Sequence, residues 1–197
     1  MKQTKTLFLL FLFSSSLFLT DCKKGEDDPL ISLRSRKARV VGKWTLTSGT
    51  YKSTSFIASS GSSSAITGSY TETSYVYSNT NSGGTTSNSF SYKRTIEFKK
   101  DGGFINTVTE NGSTSTTVGT WNFTGGVGEI KKKEQIVINY SSHTYPTASW
   151  TFSGNSTDET FDINELRNKK LVLSTEDNSS YSNGDKGSNS ETYTFEQ

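Results

Sequence analysis

From about residue 40 onward, apolar and polar side chains alternate with a period of two. Val40, Gly42, Trp44 and Leu46 fall on one face of a first segment. The clearest case sets Phe90, Tyr92, Arg94, Ile96 and Phe98 against Ser89, Ser91, Lys93, Thr95 and Glu97. This is the pattern of a half-buried antiparallel strand. Arg94 is the exception, a cation on an otherwise apolar face. Asp101-Gly102 follows and reads as a hairpin turn, as does Asn111-Gly112 between strands near Phe104–Glu110 and Ser115–Phe123. Further strands are predicted at Gln135–Tyr140, Ala148–Ser153, Thr160–Ile163, Lys170–Glu176 and Thr192–Phe195. Ser53–Ser69 and Asn178–Ser190 are poor in core residues and read as long exposed loops or as edge hairpins of weak register. Ile163–Leu166 has the spacing of one helical turn. About eight to ten short strands with turns between them predict an all-β antiparallel meander, closed or nearly closed into a barrel. Closure removes exposed strand edges, a hazard in so Thr-rich a chain.

The amino-terminal pattern is different. Lys2 and Lys5 precede an apolar run from Leu7 to Leu19, interrupted by Ser14, Ser15 and Ser16. A charged start followed by a short apolar stretch reads as a secretory signal. It is short for a spanning helix, which needs roughly 20 apolar residues. Leu19-Thr20-Asp21-Cys22 then resembles the lipobox of bacterial lipoproteins, and Cys22 is the one cysteine of the chain. The resemblance implies a diacylglyceryl thioether on Cys22, cleavage just before it, and acylation of the new amino group. Asp21 departs from the pattern, which favours a small neutral residue there. A conventional signal peptide followed by a free thiol, or an uncleaved anchor, are the alternatives. Two or more acyl chains suffice for stable anchoring, at ~0.8 kcal/mol per buried methylene.

These signals divide the chain into a signal peptide (1–21), a lipidated flexible tether (22–37) and a folded domain (38–197). The tether residues Lys23, Lys24, Gly25, Glu26, Asp27, Asp28 and Pro29 offer no apolar face. Basic-then-acidic residues after the cysteine resemble the linkers of Bacteroidetes-type envelope lipoproteins. That resemblance implies an outer-membrane location, on the periplasmic or the surface side; a plain spacer fits the same residues.

The formal charge is +2, and removal of Lys2, Lys5 and Asp21 with the leader leaves +1. A near-neutral domain exerts no bulk attraction on nucleic acid. With Cys22 lipidated, no thiol remains for a disulfide or a soft metal. Hydrophobic residues make up only 30%, and roughly a third of the chain is Ser or Thr, a mixture that also suits disorder. The regular spacing of 12 Phe, 9 Tyr and 3 Trp argues for a folded core instead.

Val41-Gly42-Lys43-Trp44 resembles the start of lipocalin-like domains, whose Gly-x-Trp opens the first barrel strand. Ile96-Glu97-Phe98 with Asp101-Gly102-Gly103-Phe104, Gly119-Thr120-Trp121, and Ile163-Asn164-Glu165-Leu166 ahead of Lys170-Leu171-Val172-Leu173 are similar to small lipocalin-like lipoproteins of Bacteroidetes. The resemblance covers most of residues 38–197, against the alternative of a generic β-sandwich. It implies a barrel in which Trp44 packs across the closed end. It also implies a late arginine over that indole, for which Arg167 is the candidate by position.

Candidate chemistry is sparse. Trp44 reads as core. Trp121 shares a strand face with Phe123 and divides between core and ligand contact; Trp150 and Tyr145, beside Pro146, are candidates for a binding mouth. His143 has no neighbouring carboxylate, which suits a structural role. Lys131, Lys132 and Lys133 read as a solvated turn or an edge guard. No nucleophile elbow, phosphate-cradling glycine pattern or metal cluster is present in the sequence. Asp158-Glu159 and Glu176-Asp177 would point to opposite faces of a strand. The expectation is therefore a binding protein rather than an enzyme, with no cofactor and no metal. It would be held at the membrane through Cys22 and would take a small hydrophobic or glycan ligand. The alternative is a structural lipoprotein whose packed barrel contacts another envelope protein.

Overall fold

The computed structural model describes residues 35–125, 134–152 and 158–197. It opens with a short helix, α1 (Arg36–Val40), capped by the Ser35 hydroxyl, which accepts from the Ala38 amide at 3.2 Å. Arg36 and Lys37, counted with the expected tether, belong to this helix. Eleven strands follow: β1 (Gly42–Ile57), β2 (Ser62–Thr71), β3 (Ser74–Asn81), β4 (Gly84–Phe98), β5 (Gly103–Glu110), β6 (Ser113–Gly125), β7 (Glu134–Tyr145), β8 (Ala148–Thr151), β9 (Asp158–Leu166), β10 (Lys170–Ser180) and β11 (Lys186–Glu196).

Every pairing is antiparallel, and ten strands form a meander barrel to which β8 is appended on β7. Pairing of β6 with β7 closes one side, and Gly42–Thr45 of β1 against Thr95–Phe98 of β4 closes the other. Eight strands thus ring the end that carries α1. Beyond Thr45, β1 and β4 diverge, and the β2–β3 hairpin fills the gap. The barrel is consequently narrow at the helical end and widens toward the β1–β2, β3–β4 and β10–β11 hairpin tips.

The core sits in the narrow end. Trp44, Leu46, Ile96, Phe98, Phe104, Trp121, Ile136, Phe161, Leu171 and Phe195 all point inward and are buried. Trp44 is 0% exposed, and its indole N–H donates to the Val40 carbonyl at 2.7 Å. That bond ties α1 to the first strand and satisfies the polar atom that a buried indole carries. A bulge between Leu46 and Ser48 then resets the pleat. Leu46 faces Phe195 and Gly49 faces Tyr193, so both the lower and upper halves of β1 keep contact with the interior.

One sequence expectation is corrected. Ile163–Leu166 is strand, not a helical turn. In β9, Leu166 pairs with Leu171 and Ile163 with Leu173, and the register shifts between them. The extra residue, Asn164, lets Ile163 and Leu166 both face inward at a spacing of three. A bulge therefore reproduced a helical spacing. Of the two readings of the Ser/Gly-rich stretches around Ser53–Ser69 and Asn178–Ser190, the hairpin holds: they form the long hairpins β1–β2 and β10–β11. Their cross-strand partners are hydroxyls, such as Thr54 with Ser188 at 2.6 Å and Ser55 with Ser64 at 2.8 Å.

Candidate functional site

The inward faces of β4, β7, β9 and β11 change character part-way up the barrel. Below lies the apolar floor. Above it, Tyr92 and Arg94 of β4, Tyr140 of β7, Glu159 of β9 and Glu191 and Tyr193 of β11 form a polar layer, joined by Asn106 of β5 and Tyr70 of β2. The Arg94 guanidinium lies over the Tyr193 ring at 4.8 Å and near the Phe195 ring at 5.9 Å. Its Nε–H donates to Asn106 Oδ1 at 3.0 Å. The Tyr140 hydroxyl donates to Glu159 Oε2, and the Tyr193 hydroxyl donates to Glu191 Oε2 at 2.7 Å. Tyr70 stacks on Tyr75 with centroids 4.3 Å apart and leans on Tyr92 and Tyr193 at 5.2 and 5.5 Å.

Two glycines allow this crowding. A side chain at Gly68 would collide with the Tyr75 ring, and one at Gly49 would collide with the Thr192 carbonyl oxygen and press on the Tyr193 and Tyr70 rings. Here the small residue is required by the close approach of neighbouring atoms rather than by backbone conformation.

The electrostatics follow from the geometry. Burial works against the charge of Arg94, but Tyr193, Tyr92, Tyr140 and Glu159 around it more than offset that cost, and its pKa stays raised. Burial raises the Tyr193 phenol; Arg94 opposes the rise, and Glu191 adds to it. Burial, then the Glu159 carboxylate, raises Tyr140. Burial, then the neighbouring phenols Tyr75 and Tyr92, raises Tyr70. The layer therefore holds a permanent cation among hydroxyls that remain protonated hydrogen-bond donors at neutral pH.

A groove of about 1090 Å³ lies further out, among the hairpin tips. Ser55, Ser64, Asn81 and Ser179 line it with hydroxyl and amide groups, Lys186 supplies a cation, and Phe56 an exposed ring. The volume is at the upper limit for ligand sites, and the lining residues are mostly Ser, Thr and Asn.

The residues singled out in the sequence lie elsewhere. Trp121 is 1% exposed in the apolar floor, where it meets Phe98 and Phe123 edge-on and donates to the Lys99 carbonyl at 3.0 Å. Lys37 of α1 sits 5.7 Å above its ring from outside. Tyr145 is 45% exposed on the β7–β8 hairpin, edge-on to His143 at 4.4 Å. His143 Nδ1 shares a 2.6 Å hydrogen bond with the Thr117 hydroxyl. Trp150 pairs with His143 through the backbone of β8. Arg167 is half exposed and bonded to Glu165 at 2.6 Å, so its guanidinium is not a buried cover for Trp44. A different arginine is buried at that end: Arg39 of α1 is 3% exposed and donates to the Leu166 carbonyl at 2.5 Å. Cys22 and Lys131–Lys133 lie outside the described residues. Among the described residues, no three His, Cys, Asp or Glu side chains gather as metal ligands.

Comparison with protein-family models, curated proteins and solved structures finds no match. The closed ten-stranded meander is consistent with a lipocalin-like fold.

Proposed function

We propose that this protein is a binding module of lipocalin-like type, held at the cell envelope by lipid on Cys22, whose mouth takes a polar, glycan-like ligand. The carrying observation is the Arg94 layer. A half-buried cation over the Tyr193 ring, bonded to Asn106 and near Glu159, is more than packing requires, and its layer lies between the apolar floor and the wide end of the barrel. Hydroxyl, amide and aromatic groups together suit the hydroxyls and the C–H faces of a sugar. A long acyl chain fits less well, because it needs an apolar slot and the apolar layer beneath is filled by side chains. That filled floor favours the second reading, a structural lipoprotein with a protein partner and no small ligand.

Anchoring and binding are tested separately. Wild-type protein is expected to fractionate with membranes and Cys22→Ser in the aqueous phase. The released variant is expected to retain binding to glycans on an array and to ignore fatty acids. Membrane retention of Cys22→Ser sinks the lipid anchor. An empty array together with a co-purifying envelope protein favours the second reading.

A further inference from the structure

At the wide end of the barrel lies a strand edge that no described residue covers. Register identifies which backbone groups face it. The Tyr92 amide donates to the Thr73 carbonyl, so the even residues of β4 bond to β3. The odd residues face the other way, and the Asn111 amide accordingly donates to the Ser91 carbonyl at 2.9 Å. Beyond Ser91, β5 has turned away, because its pairing with β4 begins only at Tyr92 opposite Glu110. The N–H and C=O groups of Thr85, Ser87 and Ser89 therefore point outward, and no described residue bonds to them.

Exposed edges are normally guarded by charge, proline or a bulge. The Gly84–Phe90 segment has none of these: it reads Gly-Thr-Thr-Ser-Asn-Ser-Phe, uncharged throughout, and its pairing with β3 is unbroken. The edge of β10 offers a contrast. The Tyr181 amide bonds to the Asp185 carbonyl, which puts the odd residues of β10 toward β11 and turns Glu176, Asn178 and Ser180 outward. Glu176 and Asp177 place two negative charges on that edge.

We propose that the β4 edge is the docking surface for a second copy of this chain, joined two-fold about Ser87 in antiparallel register. Ser87 would then face its own copy, and Thr85 would face Ser89 in both directions. All three outward residues of each chain exchange both backbone hydrogen bonds in that register. It ends where Asn111 occupies Ser91, so the length of the free edge matches the pairing. No like charges meet at the β4 seam, whereas the β10 edge carries Glu176 and Asp177. Phe90 would lie opposite Gly84 of the copy. No atom lies within 4 Å of the point where a Gly84 side chain would begin, so the space for a ring is open. Within the chain, Tyr75 already covers Gly68 in this manner. The side chains that face across the seam, Thr85, Ser87 and Ser89, are small and uncharged. An isologous contact of this kind closes on itself as a dimer.

The test is sedimentation velocity of the full chain in mild detergent, with detergent mass matched out, across the micromolar range. Wild type is expected as two copies. Ser87→Lys and Ser87→Glu are each expected as one copy, because like charges then meet at the axis. An equal mixture of the two variants is expected to return to two copies, each containing one lysine and one glutamate chain. That rescue separates loss of docking from misfolding. A wild type of single copies, an open-ended polymer, a dimeric Ser87→Lys, or a mixture that stays monomeric would each overturn the proposal.

Discussion

Replacing Trp44 by alanine is expected to lower the unfolding free energy by about 3–5 kcal/mol, the range for deletion of a large buried aromatic. Trp44 has no exposed surface, and it lies where β1 leaves the β4 pairing. Its loss opens a cavity in the narrow ring, which ladders on both sides keep from collapsing. It also removes the donor to the Val40 carbonyl, so α1 loses one of its ties. Chemical denaturation of wild type and Trp44→Ala at matched pH measures the difference. Trp44→Phe should recover part of the packing but not the hydrogen bond, and should lie between them. A loss below about 1 kcal/mol, typical of surface positions, would contradict the assignment of Trp44 to the core.

The second large effect is alkaline unfolding. Burial is the first cause of the raised pKa at each of Tyr70, Tyr75, Tyr92, Tyr140 and Tyr193. Below the ordinary phenol value near 10, folded and unfolded chains hold the same protons. Above it, the unfolded chain ionises while the barrel keeps its phenols neutral. The folded state then binds more protons, and stability falls as pH rises. Each phenol held in this way removes up to about 1.4 kcal/mol per pH unit, less where solvent reaches the ring. The expected result is a flat thermal midpoint from pH 7 to about 9.5 and a steep fall above pH 10. Tyrosinate absorbance should show one group of phenols ionising reversibly and a second group ionising only as the fold is lost. Smooth titration of all nine tyrosines without unfolding would show that the polar layer is open to water.

What the sequence reveals about this fold depends on where the side chains go. The narrow end is legible because its strands bury one face and expose the other; Phe90–Phe98 announces β4 from alternation alone. The wide end is not, because β2, β3 and the outer parts of β1, β10 and β11 carry serine and threonine on both faces. Period-two patterning has no contrast to work with there, and cross-strand hydroxyl pairs take the place of an apolar stripe. The bulge at Asn164 defeats periodicity in a second way, by shifting the phase inside a single strand. The polar layer left one trace in the sequence: Arg94, out of place on an apolar face. Its partners Tyr140, Tyr193, Asn106 and Glu159 come from four other strands, and only register brings them together. Trp121 and Trp150 drew attention because large rings often line mouths, yet Trp121 lies in the floor, on the far side of the Arg94 layer from the hairpin tips.

A ligand seated on the Arg94 layer would touch groups that report on it directly. The most direct measurement is an NMR titration of the protein with a panel of neutral oligosaccharides, following the Arg94 Nε–H, the Asn106 side-chain amide and the rings of Tyr140 and Tyr193. At least one oligosaccharide is predicted to shift these four signals saturably and together, and Arg94→Met is predicted to abolish the binding while the barrel stays folded. A panel that leaves all four unmoved, or a sugar that binds Arg94→Met as tightly as wild type, would contradict the account.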